Sequence, residues 1–60
     1  MFVKELTPGQ MFTTPDSPNT VYRCESVRVQ PGYAFVSYTI PGTDVRNGYP
    51  CRPLSTVRPV

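Results

Sequence analysis

The sequence predicts an all-β domain, a small barrel or sandwich of five short strands. Three observations carry that prediction. Pro-Gly occurs three times, at Pro8-Gly9, Pro31-Gly32 and Pro41-Gly42. Proline presets the second position of a turn, and glycine tolerates the positive φ that a type II turn needs at the third. The stretches between these turns are short and rich in β-branched and aromatic residues. Helix signals are nearly absent: no eleven-residue window repeats apolar positions at three and four, and proline interrupts almost every candidate.

The turns place strands near Gln10–Thr14, Val21–Gln30, Tyr33–Ile40, Val45–Arg46 with Tyr49–Arg52, and Thr56–Val60. Asn47-Gly48 splits the fourth of these, because this dipeptide is the strongest short signature for a tight type I′ hairpin. The run Thr14-Pro15-Asp16-Ser17-Pro18-Asn19 reads as a polar surface loop.

The second strand changes phase partway. Tyr22 and Cys24 share one face, whereas Val27 and Val29 have the opposite parity. A β-bulge near Glu25-Ser26 would bring all four inward and bend the strand sharply, as closure of a small barrel requires. Ala34, Val36, Tyr38 and Ile40 continue the core on the third strand. Any even-length loop centred on Pro31-Gly32 pairs Val29 with Ala34 and Val27 with Val36, facing in. It pairs Arg28 with Phe35 and Ser26 with Ser37, facing out. A four-residue loop is expected over a two-residue one, because an ordinary type II turn twists against a hairpin. Pro50 cannot donate a ladder hydrogen bond, so its strand should lie at an edge or stop there; at an edge it would hinder edge-to-edge aggregation.

Composition bounds the rest. Sixty residues allow one domain, spanning 1–60, which buries only about 60% of its unfolded surface and leaves little room for a deep cavity. Leu, Ile, Val and Phe make up 23% of the chain, above the level of roughly 20% below which chains stay disordered. Six cations against four acids give a net charge of +2, a mild basic balance that hints at an anionic partner without the strong excess of a dedicated nucleic-acid binder. Five of the six cations are arginine, which suits planar, specific contacts. The opening Met1-Phe2-Val3-Lys4-Glu5 lacks the apolar run of a signal peptide. Ala34-Phe35-Val36 is the longest aliphatic or aromatic run, too short to cross a membrane. Two cysteines are too few for a disulfide scaffold. A reducing, cytoplasmic setting with free thiols is expected, without a membrane partner.

The opening Leu6-Thr7-Pro8-Gly9-Gln10-Met11-Phe12 resembles the start of many small SH3-like barrels, where a Leu-x-Pro-Gly-x-x-Phe turn leads into the first strand. Val21-Tyr22-Arg23-Cys24 resembles the strand that follows, and Thr56-Val57-Arg58-Pro59-Val60 the short closing strand. The likeness covers most of the chain in outline and about a dozen positions in detail, and is of the kind met in small bacteriophage and bacterial proteins. It implies an SH3-like five-stranded barrel or a strongly bent antiparallel sheet, and a habit of binding proteins or nucleic acid. It transfers no functional residue, since such barrels bind through different surfaces. The chain has no tryptophan and no acidic loop, which departs from peptide-binding SH3 domains.

Catalysis fails on inventory. There is no histidine, the residue most used for proton transfer near neutrality, and neither Cys24 nor Cys51 has an evident base beside it. Asp16 and Asp44 lie in turn-like surroundings, where aspartate caps backbone groups for local reasons. A structural zinc site wants four Cys or His ligands, and two are present. The glycines are isolated, so no phosphate-cradling loop forms. No cofactor and no metal are expected. Cys24 reads as a small buried hydrophobe, with contact to Cys51 left open.

One patch rises above this background. Arg28 and Phe35, flanked by Tyr33, share the solvent side of the central hairpin if the valines face the core. A guanidinium beside exposed aromatics can anchor a protein interface or stack on bases. The plainer reading is an intramolecular cation–π pair on an ordinary surface. Arg46, Arg52 and Arg58 would add a basic stripe if their strands lie side by side, and Tyr49 reads as a core-capping aromatic. The expectation is a non-catalytic module docking to a larger protein, of the phage-type accessory or host-directed kind. A sequence-tolerant nucleic-acid binder and a self-associating structural component are the alternatives.

Overall fold

The computed structural model describes the whole chain, Met1–Val60. It is all-β, with five antiparallel strands in one sheet and a single turn of 3₁₀ helix at Val3–Glu5. The strands are β1 (Met11–Thr14), β2 (Ser17–Gln30), β3 (Tyr33–Thr39), β4 (Arg46–Cys51) and β5 (Arg58–Pro59). Their order across the sheet is β4-β3-β2-β1-β5. The chain meanders from β1 to β4 and then returns to lay β5 beside β1, through Phe12 opposite Pro59 and Thr13 opposite Arg58. The segments leading into β1 and β5 also run antiparallel, with Phe2 bridging Thr56 and the Val3 N–H donating to the Ser55 carbonyl at 2.8 Å. No ladder joins β4 to β5, so the sheet bends without closing.

The bend is forced by length. Fourteen residues of β2 would span about 45 Å if straight, yet the molecule's longest dimension is 33 Å. The β-bulge falls where the sequence places it, with the register slipping between Cys24 opposite Tyr38 and Ser26 opposite Ser37. Beyond it, Val27 lies opposite Val36, Arg28 opposite Phe35 and Val29 opposite Ala34, as expected.

All three Pro-Gly dipeptides form turns, with φ of 90°, 84° and 82° at Gly9, Gly32 and Gly42. The loop at Pro31-Gly32 has two residues, since Gln30 already pairs with Tyr33, and the expected four-residue loop does not form. Proline's fixed negative φ before a positive-φ glycine is type II geometry. Its twist mismatch is confined to a solvent-exposed tip.

Three boundaries differ from the sequence reading. Asn47-Gly48 makes no turn: both residues lie inside the continuous β4, opposite Tyr38 and Ser37, and Gly48 has no positive φ. The reversal into β4 is made by Pro41-Gly42 instead, where the Thr43 N–H donates to the Ile40 carbonyl at 3.2 Å. The expected loop from Thr14 to Asn19 shrinks to a tight turn at Pro15-Asp16, because Thr14 already pairs with Ser17. Pro18 and Asn19 lie in β2. The closing strand spans two residues rather than five.

The core comprises Val3, Leu6, Phe12, Cys24, Ala34, Val36 and Val57. Tyr22, Val27, Tyr49 and Cys51 pack against it half-buried. Phe12 is fully buried at its centre, a burial that stabilises the fold by roughly 1.5–3 kcal/mol. Val29 is a correction: its parity points inward, but it is 55% exposed, because the hairpin runs past the end of the core. Ile40, at the other end of β3, lies just outside the strand and only half-buried.

Candidate functional site

Directly opposed residues share a face of a sheet, so the registers map the convex side of β2, β3 and β4. Arg23, Thr39 and Arg46 form one row across the three strands. Ser26, Ser37 and Gly48 form the next, then Arg28, Phe35 and Pro50, and Gln30 with Tyr33 at the tip. The face therefore carries three arginines. Its one carboxylate, Glu25, accepts the Thr39 hydroxyl at 3.1 Å.

The three residues singled out from sequence come together here. Arg28, Tyr33 and Phe35 line a shallow groove of about 350 Å³ with Ser26, Gln30 and Ser37. Tyr33 is 45% and Phe35 40% exposed. Phe35 is held from the neighbouring strand. Its ring lies over Gly48, where an added Cβ would come within 2.6 Å of Cε1 and 2.9 Å of Cζ. Glycine in β4 thus makes room for an aromatic ring from β3, which explains an Asn-Gly that makes no turn.

The basic residues are arranged differently from the predicted stripe. Arg46 joins the face, but Arg58 sits on β5 at the opposite end of the strand order, and Arg52 follows the end of β4. Arg23 was missed. Its signal was available, since it lies two residues before the proposed bulge and alternates with the inward Tyr22 and Cys24.

The opposite, concave side holds a second feature. Phe12, Tyr22, Tyr38 and Tyr49 run as a chain of aromatics over four strands, with ring centroids 5.5, 4.9 and 5.8 Å apart. Tyr22, Tyr38 and Tyr49 line a hollow of about 610 Å³, bounded by Pro15 and Asp16 of the β1–β2 turn and by Ser55–Val57. Tyr22 and Tyr49 pack against the core and Tyr38 sits edge-on between them, each keeping its polar tip at the rim of the hollow, as amphipathic side chains do. Burial pushes the Tyr49 phenol up to about 12, helped by the nearby Cys51, Tyr22, Tyr38 and Cys24. Burial also raises the Cys24 thiol, with a further push from the Glu25 charge, and raises Cys51. Both cysteines are free, and the raised values oppose the thiolate that a nucleophile or metal ligand needs.

The two glutamates, not the two aspartates, are engaged in local structure. Glu5 accepts the Phe2 N–H at 2.8 Å, steadying the 3₁₀ turn. At the two turns where aspartate was expected to cap, threonine does so. Thr14 Oγ1 accepts the Ser17 N–H at 3.2 Å, and Thr43 Oγ1 accepts the Val45 N–H at 3.1 Å. No helix is long and apolar enough to cross a membrane. Comparison with protein-family models, curated proteins and solved structures finds no match.

Proposed function

We propose that this chain is a non-catalytic docking module of SH3-like build, working in the cytoplasm, whose convex β2–β4 face seats on a larger protein. The observation that carries the reading is Phe35 and Tyr33, both well exposed beside Arg28 on rigid strands. Aromatic and arginine anchors dominate the energetics of protein interfaces. Anchors on strands are held more precisely than anchors on loops. The meander with β5 returned to β1 supports the SH3-like build.

The test is quantitative affinity capture with the wild-type chain and an Arg28→Ala/Phe35→Ala double variant. The variant should remain folded, because neither side chain belongs to the core, and should lose its bound partner at least about tenfold. Unchanged capture would remove this face as the interface.

A second reading rests on Arg23, Arg28 and Arg46 sharing the face with two aromatics. That combination also suits stacked, single-stranded nucleic acid. Fluorescence anisotropy with oligonucleotides separates the two readings. Binding that survives physiological salt and disappears in the double variant supports nucleic acid, whereas phosphate contacts alone weaken steeply with salt.

A further inference from the structure

The far half of β2 has a strand edge that nothing in the chain covers. Up to Cys24 that edge is paired: the Cys24 N–H donates to the Gln10 carbonyl at 2.8 Å, and its carbonyl accepts the Gly9 N–H at 2.7 Å. The Pro8-Gly9 turn then carries the chain away, with the Gln10 N–H closing on the Thr7 carbonyl. Gln30 and Tyr33 close the two-residue hairpin. Peptide groups alternate in direction along a strand, so Gln30, Arg28 and Ser26 turn theirs to β3. Val27 and Val29 turn theirs to the open side. Two N–H and two C=O groups therefore line a vacant edge that ends in the exposed Val29 side chain.

The edge of β4 differs. Pro50, opposite Phe35, has no N–H to offer, and the Gly48 N–H is taken by Asn47 Oδ1 at 2.8 Å. The β4 edge thus has no free N–H at these two positions, whereas the far edge of β2 offers two.

A second copy of the chain fits the open edge poorly. The antiparallel register that uses both valines of both copies sets Val27 against Val29 and Arg28 against Arg28. That pair would be a non-hydrogen-bonded one, where side chains stand closest, and like charges directly opposite each other repel. The same geometry favours a carboxylate opposite Arg28. We infer that the Ser26–Gln30 edge accepts an extended, antiparallel strand from a partner protein, with an acidic side chain opposite Arg28 between two apolar residues beside Val27 and Val29. Main-chain pairing supplies affinity in such strand addition, and alternate side chains supply selectivity. This inference rests on the docking reading and names the partner's chemistry.

The probe is a capped heptapeptide, Ser-Thr-Val-Glu-Val-Thr-Ser, and its twin with Lys in place of Glu, added at millimolar concentration. Amide hydrogen exchange and NMR shifts are followed by residue. The Glu peptide should slow exchange at Val27 and Val29 and bind about tenfold tighter than its twin. Arg28→Glu should invert that preference. Val29→Pro should abolish the protection while leaving the β2–β3 ladder intact, because the lost N–H faces outward. Unprotected valine amides, or equal binding of the twins, would overturn the inference. Protection that rises with protein concentration without peptide would overturn it in favour of a second copy. If the peptides leave the valines unprotected while the Arg28→Ala/Phe35→Ala variant still loses its captured partner, the strand-addition inference fails and the docking face stands.

Discussion

Replacing Gly48 with alanine should destabilise the protein, against the usual trend. Glycine inside a strand ordinarily costs about 0.5–1 kcal/mol relative to alanine, and Gly48 has no positive φ to protect. Backbone considerations alone therefore predict a gain. The added Cβ would, however, stand 2.6 Å and 2.9 Å from two Phe35 ring carbons and 3.0 Å from the Val36 carbonyl oxygen. The ring can swing away, but only by giving up its cover. Full burial of a phenylalanine is worth up to about 3 kcal/mol; Phe35 is 40% exposed, so roughly 1–2 kcal/mol is at stake. With the slighter contact to the Val36 carbonyl included, the total cost stays within the roughly 1–3 kcal/mol typical of overpacking. The net expectation is a loss of about 1 kcal/mol, or a fall in Tm of roughly 4–8 °C for a domain this small. Urea melts of Gly48→Ala, Phe35→Ala and the double variant provide the assay. In the Phe35→Ala background the alanine should become neutral or stabilising, giving a coupling of about 1–2 kcal/mol. A Gly48→Ala protein as stable as wild type, with no coupling to Phe35, would refute the placement of the ring and of the docking face built around it.

Two further outcomes follow from the buried titrating groups. Tyrosine absorbance should resolve one phenol of the four that ionises only near 12, well above the ordinary value of 10. An unfolded chain releases that proton first, so the contribution of neutral Tyr49 to stability is complete below pH 10 and lost as pH climbs toward 12. A urea midpoint that stays flat over that interval would contradict the burial of Tyr49. Both thiols should react with a disulfide reagent at neutral pH more slowly than a free thiol. The fully buried Cys24 should lag behind Cys51 and catch up only in denaturant. Equal, rapid labelling of both would contradict the core.

The readable parts of this fold were those governed by local chemistry. Pro-Gly forces its turn wherever it stands, and the parity switch between Cys24 and Val27 demands a bulge whatever lies across the sheet. Once both were in place, the register of the central hairpin followed, and with it the side of the sheet that Arg28, Tyr33 and Phe35 share. Asn47-Gly48 misled because its local preference lost to a tertiary demand. The ring of Phe35 needed a residue without Cβ, and Pro41-Gly42 had already made the turn. Val3 entered the core unannounced because a single 3₁₀ turn has no periodicity to read. The tyrosine-lined hollow was hidden for a related reason. Tyr22 and Tyr38 read as core residues by parity and Tyr49 as a core-capping aromatic, and only the curvature of the unclosed sheet leaves their hydroxyl ends at a rim.

The open edge of β2 follows from the core rather than from any separate requirement. Along a strand, the face a side chain takes and the direction its peptide points alternate together. At Cys24 the inward side chain coincides with peptide groups turned toward β1. The extra residue at the bulge shifts both properties by one position, so they stay in step beyond it. Val27 cannot face the core on β2 without turning its amide away from β3, and Val29 follows with it. β1 and the Gly9-Gln10 segment before it cover that side only as far as Cys24, so the valines' peptide groups are left over. Proline at either position would have closed the edge at no loss to the ladder, as Pro50 does on β4. The chain keeps valine at both, and it carries its exposed arginine midway between them.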